Sequence, residues 1–269
     1  EARLRGGFEC LRREELHGLI RGYIDRFAAE QLGGLEDKSA RFRYLFNRLK
    51  KTAYAIVDNV AAELAVSDFV PLAFELEFGE KGALPAVSIR SGDTALRVGG
   101  KVDRVDGWLK DGKLYLRVVD YKTGNKAFNL DEVYCGLNTQ MLLYLFTLRS
   151  NAAQVYKNPV AAGVLYLAGD PVLKTGSRAE AAAAPVYKVD GLVLNDELVV
   201  RGMDRDATGM FVPFAFGKDG APRASAKLAS LEKLGNIEKH LDALVVEMAR
   251  GLYAGEIDAV PLRTAAHCP

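Results

Sequence analysis

Two runs of alternating apolar residues flank Lys110-Asp111-Gly112-Lys113, and this arrangement constrains the chain more than any other. Asp-Gly between such runs is the strongest short-range signal for a β-hairpin. With Asp111 and Gly112 at the turn, Lys110 faces Lys113. Pairing then runs outward one residue at a time. Asp103, in Gly100-Lys101-Val102-Asp103-Arg104-Val105-Asp106, comes to face Asp120, in Val118-Val119-Asp120-Tyr121-Lys122-Thr123-Gly124.

Opposed residues on a ladder have Cβ atoms roughly 5 Å apart on one face, and like charges placed so destabilise the pair. Lys122 lies two residues past Asp120 and points to the same face. A divalent cation removes the repulsion and leaves the lysine near whatever the metal polarises. The competing reading is a solvated strand of alternating charge. In this register, however, Val105, Leu109, Leu114, Leu116 and Val118 share the face of the two aspartates. The carboxylates therefore end an apolar stripe, where burial and like charge push them toward the neutral form unless a cation arrives. The pairing requires that no bulge falls near Gly107.

The 269 residues suffice for one large domain, and an apolar content of 49% allows a sizeable core. With 36 basic and 35 acidic residues, the balance does not advertise nucleic-acid binding, so any basic surface must come from segregation rather than excess. No apolar run approaches a membrane span and no signal-peptide pattern opens the chain. Cys10, Cys135 and Cys268 are too few and too scattered for a disulfide framework, which fits a reducing cytoplasm. A start at Glu1 without methionine and an end at His267-Cys268-Pro269 read as a piece of something longer.

Helical periodicity covers residues 9 to about 32, stopped by Gly33-Gly34, and 39 to 66, with Ser39 as N-cap. Phe74, Leu76 and Phe78 alternate with Ala73, Glu75 and Glu77 as a half-buried strand. Strands follow near 86–90, 95–106 and 113–121, then a helix over 130–150 and a buried strand at 160–167. Further strands are expected at 185–189 and 211–216, and a long amphipathic helix at 227–251, while the Ala-rich segment 179–184 reads as a variable loop. There is no internal repeat. The pattern predicts an α/β fold, a mixed β-sheet flanked by helices, in one domain over 1–269 with a core at about 9–170 and a C-terminal helical extension at about 190–269.

Other residues gain meaning from this hairpin. His17 lies on the edge of the first helix's apolar stripe, where a lone histidine is more often a boundary residue than a ligand. Glu75 either adds a third carboxylate or faces water. Gln140 and Tyr144 share a helix face, either as an ordinary edge or as a surface that holds phosphate and stacks on bases.

Taken together, the Gly100–Asp106 strand, the Val118–Gly124 strand and Gln140-x-x-x-Tyr144, preceded by a helix with histidine, resemble the RecB-type PD-(D/E)XK nucleases. Phe74-Glu75-Leu76-Glu77-Phe78-Gly79, Tyr187-Lys188-Val189-Asp190-Gly191-Leu192-Val193-Leu194-Asn195-Asp196 and Gly255-Glu256-Ile257-Asp258-Ala259-Val260-Pro261 resemble the AddB-type nuclease domains of bacterial AddAB helicase–nucleases.

The resemblance implies a PD-(D/E)XK core and a magnesium- or manganese-dependent deoxyribonuclease, with Asp103, Asp120, His17 and the backbone carbonyl of Tyr121 as metal ligands. It makes Lys122 the catalytic lysine and Glu75 a supporting acid, and it lines the DNA path with Gln140 and Tyr144. It also implies exonuclease action on a single strand of 5′ polarity, fed by an AddA-type helicase–nuclease partner during double-strand-break repair in the bacterial cytoplasm. A four-cysteine iron–sulfur cluster is expected in the longer parent, with Cys268 as one ligand, and not in this fragment. A stand-alone exonuclease, a restriction-type endonuclease and a non-catalytic DNA-binding module are the alternatives. No G-x-x-x-x-G-K-[ST] loop for a helicase motor occurs.

Overall fold

A computed structural model describes residues 12–91, 94–123, 127–169 and 187–258. Helices α1 (Arg13–Leu32) and α2 (Ala40–Ala65) lead into strand β1 (Val70–Phe78), a separate β2–β3 hairpin (Val87–Ser91 and Thr94–Val98), β4 (Gly100–Lys110) and β5 (Lys113–Thr123). Then come α3 (Leu130–Tyr134), α4 (Gln140–Ala152), β6 (Val160–Gly169), β7 (Tyr187–Leu194), α5 (Glu197–Met203), β8 (Leu228–Ala229) and α6 (Leu231–Ala254).

Among the described residues the main sheet has six strands in the order β1-β4-β5-β6-β7-β8. β1, β4 and β5 are antiparallel neighbours, β6 runs parallel to β5, and β7 reverses again. The mixed sheet with flanking helices is the architecture read from the sequence. The parallel β5–β6 step needs a crossover, and α3 with α4 supplies it. Leu142 and Leu145 of α4 and Leu234, Ile237 and Leu241 of α6 close the core on the sheet.

The hairpin follows the expected register from Lys110↔Lys113 to Arg104↔Val119, without a bulge at Gly107. Asp111 and Gly112 both take positive φ, as the turn requires. Ser39 caps α2 by accepting the Phe42 amide, and Gly33 ends α1 in the left-handed region at φ 67°.

Five expectations change. The strand expected at 95–106 is two, β3 pairing with β2 in a separate hairpin and β4 entering the main sheet. The helix over 130–150 is two helices, because Gly136 at φ 83° and Asn138 at φ 53° interrupt it. Residues 211–216 form no strand among the described residues: Pro213 offers no ladder amide, and Phe211, Val212 and Phe214 are buried as an irregular segment. The last helix starts at Leu231, since Leu228–Ala229 pairs with β7 and Ser230 caps the helix through the Lys233 amide. In β1 the ladder is irregular between Pro71 and Ala73 and Glu75 adopts φ 51°, and Phe74 is exposed while Phe78 is buried. The Ala-rich segment 179–184 lies outside the described residues.

Candidate active site

The two faces of β4 and β5 carry different chemistry. Val105, Leu114, Leu116 and Val118 are buried on the face of Asp120, whereas Leu109, expected among them, is exposed near the turn. Asp120 ends this stripe and is itself 8% exposed. The Lys122 Nζ stands 2.6 Å from Asp120 Oδ2. The contact lacks hydrogen-bond alignment, so this buried oxygen has no aligned donor among the described residues.

Asp103 lies one step beyond the last paired residues of the ladder. Its Oδ2 accepts the main-chain N–H of Tyr121 at 3.1 Å. Burial pushes the Asp103 carboxyl above the ordinary carboxylate value, and the charges of Asp120 and Glu75 add to that. The Tyr121 N–H and the Lys122 ammonium pull the other way without cancelling it. The like-charge opposition read from the register is therefore present.

Glu75 is exposed and its Oε2 lies 2.6 Å from Lys101 Nζ, close enough for its charge to reach Asp103. Gln140 Nε2 donates to Tyr144 Oη at 2.7 Å. The Tyr144 ring meets Phe78 edge-on at 5.2 Å and lies against Gly100, where a Cβ would stand 2.5 Å from the ring.

His17 is placed elsewhere. Its Nε2 lies 2.7 Å from Asp58 Oδ1 on α2, and its ring packs on Tyr54 at 4.8 Å. Burial raises the Asp58 carboxyl, but Arg13 and His17 outweigh it and hold the group below its ordinary value. Among the described residues no three His, Cys, Asp or Glu side chains gather at metal-binding distance, so His17 does not join Asp103 and Asp120. The acid on the neighbouring helix satisfies the imidazole first. Cys135 is exposed at the end of α3, and Cys268 lies outside the described residues.

A charged cluster that the sequence reading did not assign fills the opposite face. Arg104, Asp106 and Arg117 are fully buried and Glu63 of α2 nearly so. Arg104 Nη2 donates to both Glu63 oxygens at 2.8 and 2.9 Å, and Arg117 donates to Glu63 at 2.5 Å and to Asp106 at 2.8 Å. Burial works against the Arg104 charge, but Glu63 and Asp106 outweigh it and hold the guanidinium above its ordinary value. Arg104 Nη1 also donates to Tyr121 Oη at 2.8 Å, which ties the cluster to the residue whose amide holds Asp103. The signal was there in the sequence: Asp106 and Arg117 face each other on the ladder as opposite charges.

A third group flanks the site. Tyr166 of β6 sits between Asp120 and Asp190 on the ladder, and burial, then both charges, push its hydroxyl upward. Asp190 accepts the Phe128 amide at 3.0 Å and lies 2.6 Å from Lys227 Nζ, which donates to the Phe128 carbonyl at 2.6 Å. Asp190 and Lys227 thus pin the chain that leaves β5 after Lys122.

The model of the PD-(D/E)XK nuclease superfamily matches residues 9–269. The B-type component of the ATP-dependent helicase/deoxyribonuclease of Clostridium tetani is 29% identical over 97% of this chain and 24% of its own length. Proteins of the same name are 32% identical over 90% of this chain and 22% of their own length in Clostridium novyi, and 28% over 95% and 23% in Thermoanaerobacter. The chain thus spans under a quarter of the length of these relatives.

Proposed function

The chain belongs to the PD-(D/E)XK nuclease superfamily, and from that premise we propose that its Asp103–Asp120–Lys122 site hydrolyses phosphodiester bonds of DNA with a divalent metal ion, magnesium or manganese. The observation that carries this reading is the buried Asp120, opposed by Asp103 and touched by Lys122, with one carboxylate oxygen lacking an aligned donor. Such a donor set fits a hard cation that takes oxygen ligands and keeps several waters. Asp103, Asp120 and the Tyr121 carbonyl would hold it, and His17 would join only if α1 brought its imidazole off Asp58. When bound, the ion supplies Lewis acidity and lowers the pKa of a coordinated water.

The chain's own groups do the rest. The two carboxylates fix the site on rigid strands. Lys122, already within 2.6 Å of Asp120, orients the attacking water or steadies charge developing on the phosphate. Gln140 and Tyr144 flank the path of the strand, and Glu75 adds negative charge beside Asp103. Asp103 must be ionised to serve, and a cation would relieve the burial and like charge that raise its pKa.

As the resemblance of its motifs to AddB-type nuclease domains implies, the proposed substrate is a DNA strand of 5′ polarity, cut exonucleolytically while an AddA-type partner unwinds it during break repair in the bacterial cytoplasm. No described helix is long and apolar enough to cross a membrane. Cys268 would give one ligand to an iron–sulfur cluster of a longer parent.

The test is cleavage of end-labelled single-stranded DNA by the purified chain. Products are expected with magnesium, none with EDTA and none with Asp120→Ala. An Asp120→Ala protein that cuts at the parent rate overturns the site.

A further inference from the structure

The near-neutral chain hides a strong segregation of charge. From Lys38 to Val57 there are six Lys and Arg residues and no Asp or Glu. This stretch is the N-terminal part of α2 with the two residues before it. Two of the six have partners: Arg43 donates to the Glu36 carbonyl and Lys50 pairs with Asp25 of α1. Arg41, Arg48 and Lys51 are exposed, with no carboxylate at ion-pair distance among the described residues.

These three cations are not scattered. At 3.6 residues per turn, positions 41, 44, 48 and 51 fall within an arc of about 80° and span about 15 Å of helix. The fourth member of the stripe is Tyr44, whose side chain is 63% exposed. The Arg48 guanidinium stands 6.0 Å from the Tyr44 ring centroid. The surface is therefore a line of cations with an aromatic face among them. A positive line that tracks a phosphate backbone, with rings on which bases stack, is how sequence-tolerant single-strand binding is built. An acidic polypeptide would use the cations but has no need of the ring.

The stripe is mechanically joined to the candidate site. The same helix ends in Glu63, bonded to Arg104 of β4 and Arg117 of β5. At 1.5 Å per residue the stripe lies about 18–33 Å along α2 from that anchor. We infer that Arg41, Tyr44, Arg48 and Lys51 form a binding surface for single-stranded DNA, remote from the carboxylates and held at fixed distance from them by α2. This rests on the nuclease reading for the identity of the ligand.

The experiment is fluorescence anisotropy of a labelled oligothymidylate in EDTA over a series of salt concentrations, with the parent chain, the combined variant R41Q/R48Q/K51Q, and Y44A and Y44F. EDTA stops metal-dependent cleavage, so the result is independent of whether Asp120 is catalytic. Failure of the nuclease reading would instead show in the magnesium assay. Removing three phosphate contacts should lower the slope of log K against log salt by about 2 and weaken binding at low salt by about tenfold or more. Y44A should weaken binding about fivefold or more with the slope unchanged, and Y44F should bind like the parent. A parent chain that does not bind the oligonucleotide, or a triple variant with parental affinity and slope, overturns the inference. So does polyglutamate that binds the parent chain as tightly as DNA and is lost with the same three cations, since that outcome marks a surface for acidic protein.

Discussion

The main-chain N–H of Tyr121 donates to Asp103 Oδ2 at 3.1 Å, so the strand that carries Asp120 and Lys122 also holds the opposing carboxylate. The two acids cannot drift apart to relieve their repulsion. Burial first, and then the nearby charge of Asp120, keep the pKa of Asp103 raised although the Tyr121 N–H itself lowers it, and this makes a prediction about stability as well as activity.

An acid whose folded pKa is raised favours the fold when protonated, and this contribution is lost as pH rises through the folded value. At neutral pH, without metal, ionised Asp103 therefore works against folding, through burial first and then the charges of Asp120 and Glu75. Asp103→Asn should melt at or above the parent temperature in EDTA at pH 7, and the parent should gain stability as pH falls toward the ordinary carboxylate range. Magnesium should raise the melting temperature of the parent and not of the variant. Thermal melts with and without magnesium check this. A variant less stable than the parent in EDTA would show that the opposition carries no strain.

Lys122 should act in the chemical step more than in binding. Its ammonium lies at Asp120, where a reacting phosphate would sit, and one lost phosphate contact costs little affinity. Lys122→Ala should lower the cleavage rate by about 100-fold or more while DNA affinity in EDTA stays within a few-fold. Single-turnover rates set beside anisotropy titrations separate the two. Normal turnover with collapsed affinity would reassign the residue to binding.

The hairpin was legible because its turn chemistry and period-two pattern are local. They place Asp103, Asp120 and Lys122 without knowledge of the rest of the chain. His17 was not legible, since its place depends on how α1 docks, and Asp58 on α2 competes for the imidazole. The split of α3 from α4 rested on backbone angles at Gly136 and Asn138 that apolar periodicity does not reveal. The Glu63 part of the buried cluster was hidden for another reason. Glu63 comes from a helix 41 residues before Arg104, and no spacing rule joins a helix end to a strand. The basic surface was anticipated only as segregation, and which helix carries it follows from exposure.

That cluster should be costly to break. Glu63 answers both Arg104 and Arg117 where all three side chains are buried. Removing one partner of a buried ion pair leaves an uncompensated charge, at about 3–5 kcal/mol. Glu63→Ala should destabilise the chain by that amount in urea unfolding. An effect below about 1 kcal/mol would mean that the arginines find other partners when the helix end gives way.

The last prediction concerns Gly100 and Tyr144, two motif residues joined by packing. A Cβ at Gly100 would stand 2.5 Å from the Tyr144 ring, which is itself wedged edge-on against buried Phe78 and hydrogen-bonded to Gln140. The ring has little room to retreat. Gly100→Ala should cost about 1–3 kcal/mol, the usual range for overpacking. Tyr144→Ala removes the obstructing ring, so Gly100→Ala in that background should cost much less than in the parent. A double-mutant cycle by urea unfolding measures the difference, because contacting residues couple and distant ones add. If the Gly100→Ala penalty is the same with and without the Tyr144 ring, the glycine is required by its backbone and not by the tyrosine, and the motif's first residue has no bearing on how the Gln140–Tyr144 face is held.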